Sequence, residues 1–565
     1  MNLTKDEPTG LGWVLLAVCM SAPWLIPVHT DPWPTLFSEV AAGLVAVPLV
    51  VWVLAARRGH LELDALSIGF GLAAVVPLLQ AASGLFLFPA EAPIVSLYLA
   101  GMVFAVAAAC RSEQYMPGRL SSALFAGLLI ASLASTALAL AQWLYLDWGP
   151  LLATIPPGGG GRPVANVGQT NELSTLLVWG LVGLWWAHLY GRIGGIVSVL
   201  GAAFLLVGVA STQSRTGWLA VGLLLGTAVA SPARLDSAKH RGAFIGLGLW
   251  FVLLVLGWPA VTELGDASKA LSLNSQLSVG PRPEIWAMMI DGIWHRPWFG
   301  YGWNQGRLVQ LGEVQNFTYL KLAVEHAHNV VLDLMVWNGV PLGLGFAALL
   351  GVWFWWQLRR AITAVQILLI LALSTFMLHA MLELPHCHAY FLVPAALMMG
   401  TLNALSVLPV MLRVPRAAAA LGVAVLAGAL VLMWIDYRRI EADLQAYRIR
   451  NAWSGIGLVP PAPEVFVLRA LQSTLLDLRI EPRAGMDAEE LERLRRTATR
   501  YPIEPAIFRY AKAAALNGKP SAAQETLSRF CLRFPQARCD LARSEWGEFV
   551  TVHPEIQPVP FPTFP

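Results

Sequence analysis

The chain has 565 residues, 56% hydrophobic and 13% charged, with mean hydropathy +0.60 and a formal net charge of +3. A soluble domain carries about a quarter charged residues, so this composition belongs in a bilayer. The basic residues are scattered rather than striped, which excludes a nucleic-acid face, and the five cysteines form no CxxC pair or zinc spacing, so neither a metal nor a cofactor is expected.

A helix needs ~20 apolar residues to cross the hydrocarbon core. With that ruler the sequence offers apolar runs near 11–28, 37–55, 65–88, 92–110, 121–146, 172–190, 194–210, 216–232, 243–261, 329–356, 361–380, 388–409 and 417–435, about thirteen spans. The fold class this implies is all-α, a polytopic helical bundle, since each span must satisfy its own backbone. The first run, Leu11 to Val28, has no A-x-A-like cleavage site and is expected to stay as a span.

Loop charge alternates along the chain. Lys5, Arg57 and Arg58, Arg111 and Arg119, Arg192, Arg234, Lys239 and Arg241, Arg359 and Arg360, and Arg413 and Arg416 fall on one side. The short opposite loops around Asp31, Pro89 and Glu383 contain no Lys or Arg. The positive-inside rule therefore puts the N-terminus in the cytoplasm, and an odd number of spans puts everything after residue 435 outside. The expected organisation is a membrane domain, 1–435, with a long outer loop, 262–328, and a periplasmic helical domain, 436–565. Many of the 23 tryptophans, Trp24, Trp33, Trp148, Trp185 and Trp298 among them, sit near span ends as interfacial anchors.

Three outer loops carry cations against this rule. The loop from Asp147 to Glu172 holds Gly158–Gly161, stiffened by Pro156 and Pro157, then Arg162. Its Asn166, Gly168, Gln169 and Asn171 bring amides to the mouth of a helix, where they either bind sugar or cap the helix. The turn Ser211–Trp218 holds Arg215. An isolated Arg often snorkels to headgroups, but its planar fork also suits a bound phosphate, and a tight turn gives positive charge no exemption from the rule. The long loop holds Lys269, Arg282, Arg296, Arg307 and Lys321, and long loops translocate whatever their charge.

Within that loop, Pro283 suits a first helical position, and Ile285, Met288, Met289 and Ile293 recur on one side of an amphipathic helix ending before Pro297. Arg282 opens that helix as a phosphate ligand or an interfacial charge. His326 and His328 precede a long apolar helix. The positive end of a helix disfavours an imidazolium, and a neutral imidazole can accept a proton. Two residues apart, the two histidines face different ways, and His328 is taken as the base. His379, Glu383, His386 and His388 crowd a later turn with Cys387, but their spacing is awkward for metal.

After residue 436, Asp487–Arg500, Pro505–Asn517 and Ser521–Phe534 have helical spacing, like a degenerate tetratricopeptide hairpin that docks an acceptor or caps the bundle. Cys531 and Cys539, on the oxidising side, are a plausible disulfide.

In this order, GQTN, SRTGW, RPEIW, GYGWN, HAHN and ELPHCHAYFLVP resemble the superfamily of O-antigen ligases, O-antigen polymerases and bacterial O-oligosaccharyltransferases. The Asn166–Asn171 loop, Glu383–Leu384–Pro385 and the C-terminal extension resemble most the PglL-type protein O-oligosaccharyltransferases. The resemblance implies a GT-C-like ligase fold in the bacterial inner membrane, an undecaprenyl-diphosphate oligosaccharide donor, and Ser or Thr acceptors on exported, pilin-like proteins. It implies metal-independent transfer, with His328 as the essential histidine and Arg215 and Arg282 as the family arginines. Arg162, Asn166, Gly168, Gln169, Asn171, His326 and Glu383 are then expected to bind substrate. The family's G-x-x-G/T/Y pattern after the H-N pair is half matched: Gly339 fits, Leu342 takes the last place, and Gly343 follows. Rival readings are a ligase loading lipid A, a polymerase, a flippase or transporter, and a membrane scaffold. A transporter would keep ionisable groups near the bilayer midplane, whereas these gather at the outer surface.

Overall fold

A computed structural model describes residues 10–56, 60–146, 162–230, 234–264, 280–313, 316–317, 320, 323–452, 462–556 and 559–562. Gly158–Gly161, Lys269 and Lys321 lie outside the described residues. Each apolar run forms a helix, the one open structure that pairs its backbone groups within a single segment. These are α1 (Leu11–Leu25), α2 (Leu36–Ala56), α3 (Ala65–Ala82), α4 (Ala92–Tyr115), α5 (Arg119–Trp143), α6 (Thr170–Leu189), α7 (Gly195–Ser211), α8 (Arg215–Ala230) and α9 (Arg241–Leu264). The amphipathic α10 (Arg282–His295) and short α11 (Arg307–Glu313) precede α12 (Val330–Arg360), α13 (Ala364–Ala380), α14 (Ala389–Leu405) and α15 (Arg416–Ala452). The C-terminal helices are α16 (Arg469–Asp477), α17 (Ala488–Arg500), α18 (Glu504–Leu516), α19 (Pro520–Arg533) and α20 (Gln536–Val552).

Among the described residues, seven helices (α2, α3, α4, α5, α9, α12 and α15) are long and apolar enough to cross a membrane, and α1, α7, α8, α13 and α14 are shorter apolar helices. The polar start of α6, with Asn171 and Glu172, sets it apart, yet the helix is buried over most of its length. The described residues are mostly helical, consistent with the all-α expectation, with one small two-stranded antiparallel ribbon, β1 (His60–Leu63) with β2 (Leu412–Pro415). Glu62 on it receives Arg111 at 2.7 Å and Arg413 at 3.5 Å.

The chain divides into two compact units: residues 1–72, 98–278 and 348–430, and residues 73–97, 279–347 and 431–565. The expected boundary at residue 435 falls within α15, which continues unbroken to Ala452.

In the first unit, α5 packs against α1 and α6 closely enough that small residues are required. A Cβ on Gly127 would meet the Ala17 carbonyl at 2.6 Å, and one on Gly183 the Phe125 carbonyl at 2.6 Å. Lipid provides no hydrophobic force between helices, so such close approach and buried hydrogen bonds hold them. Ser132 Oγ donates to the Leu176 carbonyl at 2.7 Å, and Trp179 Nε1 donates to the Ala372 carbonyl at 2.8 Å, tying α6 to α5 and α13.

In the second unit, α12 breaks at Gly339 (φ 78°, ψ 169°), although the departure at Leu342 from the family's glycine pattern puts such a break in doubt. The carbonyls freed by the break are satisfied by the GYGWN turn. Tyr301 N–H donates to Val336 at 2.8 Å, Gly302 N–H to Trp337 at 3.1 Å, and Val340 N–H to Pro297 at 2.7 Å. Gln80 at the end of α3 closes the same joint, accepting from Trp303 N–H at 2.9 Å and donating to the Trp337 carbonyl at 3.0 Å. The α10 face of Ile285, Met288, Met289 and Ile293 is buried, as its spacing predicts. Leu494, Ile507, Leu527, Phe530 and Trp546 build a separate core for α17–α20, and Cys531 and Cys539 are joined as a disulfide. Asp436, deep in α15, accepts from the Phe466, Val467 and Leu468 N–H groups at 2.9, 2.6 and 3.1 Å and fixes the entry to α16.

Candidate functional site

The first unit gathers three motifs that lie far apart in the sequence. Ser214 Oγ donates to Asn171 Oδ1 at 2.7 Å, and Asn171 Nδ2 donates to Glu383 Oε1 at 3.0 Å. Ser174 Oγ sits 3.1 Å from Ser214 Oγ, and Gly217 N–H donates to Ser214 Oγ at 3.2 Å, capping α8. Arg215, half-buried, is the first residue of that helix. Arg162 Nε donates to the Thr212 carbonyl at 2.7 Å, so the GQTN loop and the arginine turn are fastened together.

The expected sugar-binding amides divide into two kinds. Asn166 is 1% exposed, and its Nδ2 donates to the Leu25 carbonyl at 3.0 Å while its own carbonyl meets His29 Nε2 at 2.8 Å. It holds the loop on the end of α1. Gln142 does the same from α5, accepting from Val164 and Ala165 N–H at 2.9 and 2.8 Å. Gly168 is exposed at a left-handed φ of 91°, and Gln169 and Asn171 are half-buried.

Beside this network lies a cluster that spacing alone did not reveal. His388 Nδ1 is 3.0 Å from Glu39 Oε1 and its Nε2 is 3.2 Å from Glu172 Oε1. Tyr390 donates to Glu172 Oε2 at 2.8 Å, and His379 Nδ1 pairs with Thr175 Oγ1 at 2.9 Å. Both imidazoles are thus engaged by protein groups. The signal that could have found the cluster was the presence of Glu39 and Glu172 inside apolar runs, where carboxylates need partners.

The second unit carries Arg282, half-buried at the start of α10, and the HAHN segment. His328 has a left-handed φ of 53°. Asn329 Oδ1 caps α12 by accepting from Val331 and Leu332 N–H at 3.0 and 3.1 Å, and Asp333 Oδ1 reaches back to Ala327 N–H at 2.7 Å. These bonds hold His328 at a helix N-terminus, as its position before the apolar run implies. The His326 ring stands edge-on to Trp337, centroids 6.0 Å apart. Asp333 was not singled out in the sequence; an acid in the first turn of a helix is favoured by the dipole there, which is a general sign and not one of this particular bond.

The HAHN segment is anchored from the C-terminal helices. Arg500, 3% exposed, donates from Nε to Glu91 at 3.1 Å, from Nη1 to Glu325 at 3.0 Å and from Nη2 to the Asn304 carbonyl at 3.1 Å. Tyr501 also donates to Glu91. Arg307 adds a bond to Glu325 Oε2 at 3.2 Å. Burial raises the Glu325 carboxyl, but Arg307 and Arg500 outweigh it and hold it below the usual range. Among the described residues, Asp291, His295 and Glu313 have ligand atoms within 4.8 Å of one another. Glu313 already accepts from His295 at 2.9 Å and Asn316 at 3.0 Å.

Polar motifs at the ends of apolar helices, with an arginine opening α8 and another opening α10 and an imidazole before α12, are what a membrane glycosyltransferase is expected to carry. Comparison with known proteins agrees. A family profile described as O-antigen ligase matches residues 200–347, one for a virulence factor membrane-bound polymerase C-terminal region matches 367–547, and one for a protein glycosylation ligase matches 163–188. The chain is 28% identical over 538 residues, 91% of each chain, to a general O-oligosaccharyltransferase of Acinetobacter baylyi. It is 29% identical over 246 residues, 43% of this chain and 44% of the relative, to a ComP-specific O-oligosaccharyltransferase of that organism. The chain is thus similar, over nearly its whole length, to a bacterial O-oligosaccharyltransferase, and carries segments matching the O-antigen ligase and protein glycosylation ligase families.

Proposed function

We propose that the enzyme transfers an oligosaccharide from undecaprenyl diphosphate to a Ser or Thr hydroxyl of an exported, pilin-like protein, at the outer face of the bacterial inner membrane. The observation that carries this reading is the Glu383–Asn171–Ser214 network, which locks the GQTN, SRTGW and ELP motifs into one polar rim beside Arg215. We read thirteen apolar helices as spans, with a cytoplasmic N-terminus and a periplasmic, tetratricopeptide-like C-terminal domain.

His328 removes the proton from the acceptor hydroxyl, and that oxygen forms its bond to the anomeric carbon. The bond from that carbon to the diphosphate breaks, and its electron pair leaves with undecaprenyl diphosphate, inverting the anomeric centre. Charge grows on the leaving diphosphate. Arg215 and Arg282 stabilise it without a metal, their planar forks suiting phosphate oxygens. A placed base contributes ~10²–10⁴-fold, and positioning much of the remainder. Gly168, Gln169, Asn171, Glu383, Arg162 and His326 orient the glycan, with Asn166 setting the shape of their loop.

The test is co-expression with a lipid-linked glycan pathway and candidate pilins, read by intact mass of the exported acceptor. His328→Ala is expected to abolish the glycan mass while expression and donor lipid persist. Normal glycosylation in that variant overturns the mechanism. The O-antigen ligase match over residues 200–347 favours one alternative, a lipid A-core acceptor. Glycan appearing on lipid A instead of protein in the same cells selects it.

A further inference from the structure

In the second unit, a cavity of about 220 Å³ opens between α11 and the C-terminal helices α17–α19. Leu311, Ile507 and Phe530 contribute apolar wall, and Arg495, Arg529 and Arg533 contribute the cations. Arg495 and Arg529 are each paired with a neighbour on their own helix, Glu492 and Glu525, both at 2.7 Å. Arg533 differs. It is 5% exposed, and its Nε and Nη1 are buried without a hydrogen-bond partner among the described residues. The Nε of Arg529 is also buried and unpartnered. Burial and the nearby Arg307 push the Arg533 guanidinium down to about 10, with Glu325 only partly opposing.

An unpaired buried cation is among the least favourable groups a fold can carry, and hydrophobic replacement at such places is often stabilising. A helix end such as that of α19 does favour a basic residue, and the Phe534 ring lies 5.4 Å from the guanidinium carbon, but neither supplies a hydrogen-bond acceptor to Nε or Nη1 in the cavity wall. We propose that the cavity is an oxyanion site for a carboxylate or phosphate group on a small ligand, with the Arg533 guanidinium as main donor and that of Arg529 as second. The site is separate from the chemistry assigned to His328 and stands or falls independently of it.

The test uses the full-length protein in detergent, with melting followed by tryptophan fluorescence at constant ionic strength. Chloride is replaced by inorganic phosphate or by glucuronate, with glucose as the neutral control. At saturating anion, phosphate, glucuronate or both are expected to raise Tm by about 2–4 °C, and glucose is not. Arg533→Leu is expected to melt higher in chloride and to lose the response; Arg533→Lys, keeping charge without the fork, retains a weaker one. A response to phosphate alone identifies a phosphate site, and to glucuronate alone an acidic-sugar site. No anion-specific shift overturns the proposal. So does a shift that persists in Arg533→Leu, since phosphate excluded from the surface stabilises any fold. If Arg533→Leu does not fold, an undiminished response in Arg533→Lys is the overturning result.

Discussion

At Ser214, one hydroxyl joins three segments: it donates to Asn171, accepts from Gly217 N–H, and lies against Ser174. Ser214→Ala leaves the Asn171 carbonyl and the Gly217 N–H of a buried helix start without their partner. Such a loss amounts to about 1–3 kcal/mol, so transfer is expected to fall about tenfold or more, measured as initial rate of acceptor glycosylation. Retention of wild-type rate would mean that the rim tolerates a slack Asn171. By contrast His328 is held by backbone geometry, through the Asn329 cap and the Asp333 bond to Ala327 N–H.

Among the elements, the broken α12 and the GYGWN turn depend on each other. Gly339 stands at φ 78°, and a Cβ there would meet the Trp298 carbonyl carbon at 2.4 Å. Gly339→Ala is therefore expected to destabilise the protein by about 1–3 kcal/mol, seen as a lower melting temperature, and an unchanged Tm would contradict the strain. The α17 arginine makes a different kind of joint. Arg500 neutralises Glu91, which is 8% exposed, and also holds Glu325 next to HAHN. Arg500→Ala strands a buried carboxylate, a loss on the order of 3–5 kcal/mol, whereas Arg500→Lys keeps the charge and is expected to recover part of it. Equal stability of the two variants, compared by chemical denaturation, would show that the charge is immaterial.

For the molecule as a whole, the disulfide of Cys531 with Cys539 agrees with an oxidising surrounding for the C-terminal domain. Alkaline phosphatase fused after residue 565 is expected to be active, and a fusion within the loop at Arg359 inactive; the reverse pattern would invert the topology. Separate packing is in keeping with this expectation, since α17–α20 enclose an apolar core of their own.

Local pattern alone determined much of this. The apolar runs gave the helix positions, Pro283 with Ile285, Met288 and Met289 gave α10, and the apolar run after His328 marked the start of α12. Periodicity and capping are properties of neighbouring residues, so they can be read without a fold. The pairing of Arg500 with Glu91 and Glu325, of His388 with Glu39 and Glu172, and of Asn171 with Glu383 was decided only in three dimensions. A charge inside an apolar run announces that it needs a partner, but the partner lies wherever packing brings another chain segment. For the same reason Asn166, which the sequence offers as a sugar ligand, is a buried clasp on α1, while the burial of Arg533 became visible only once α17–α19 had closed around it.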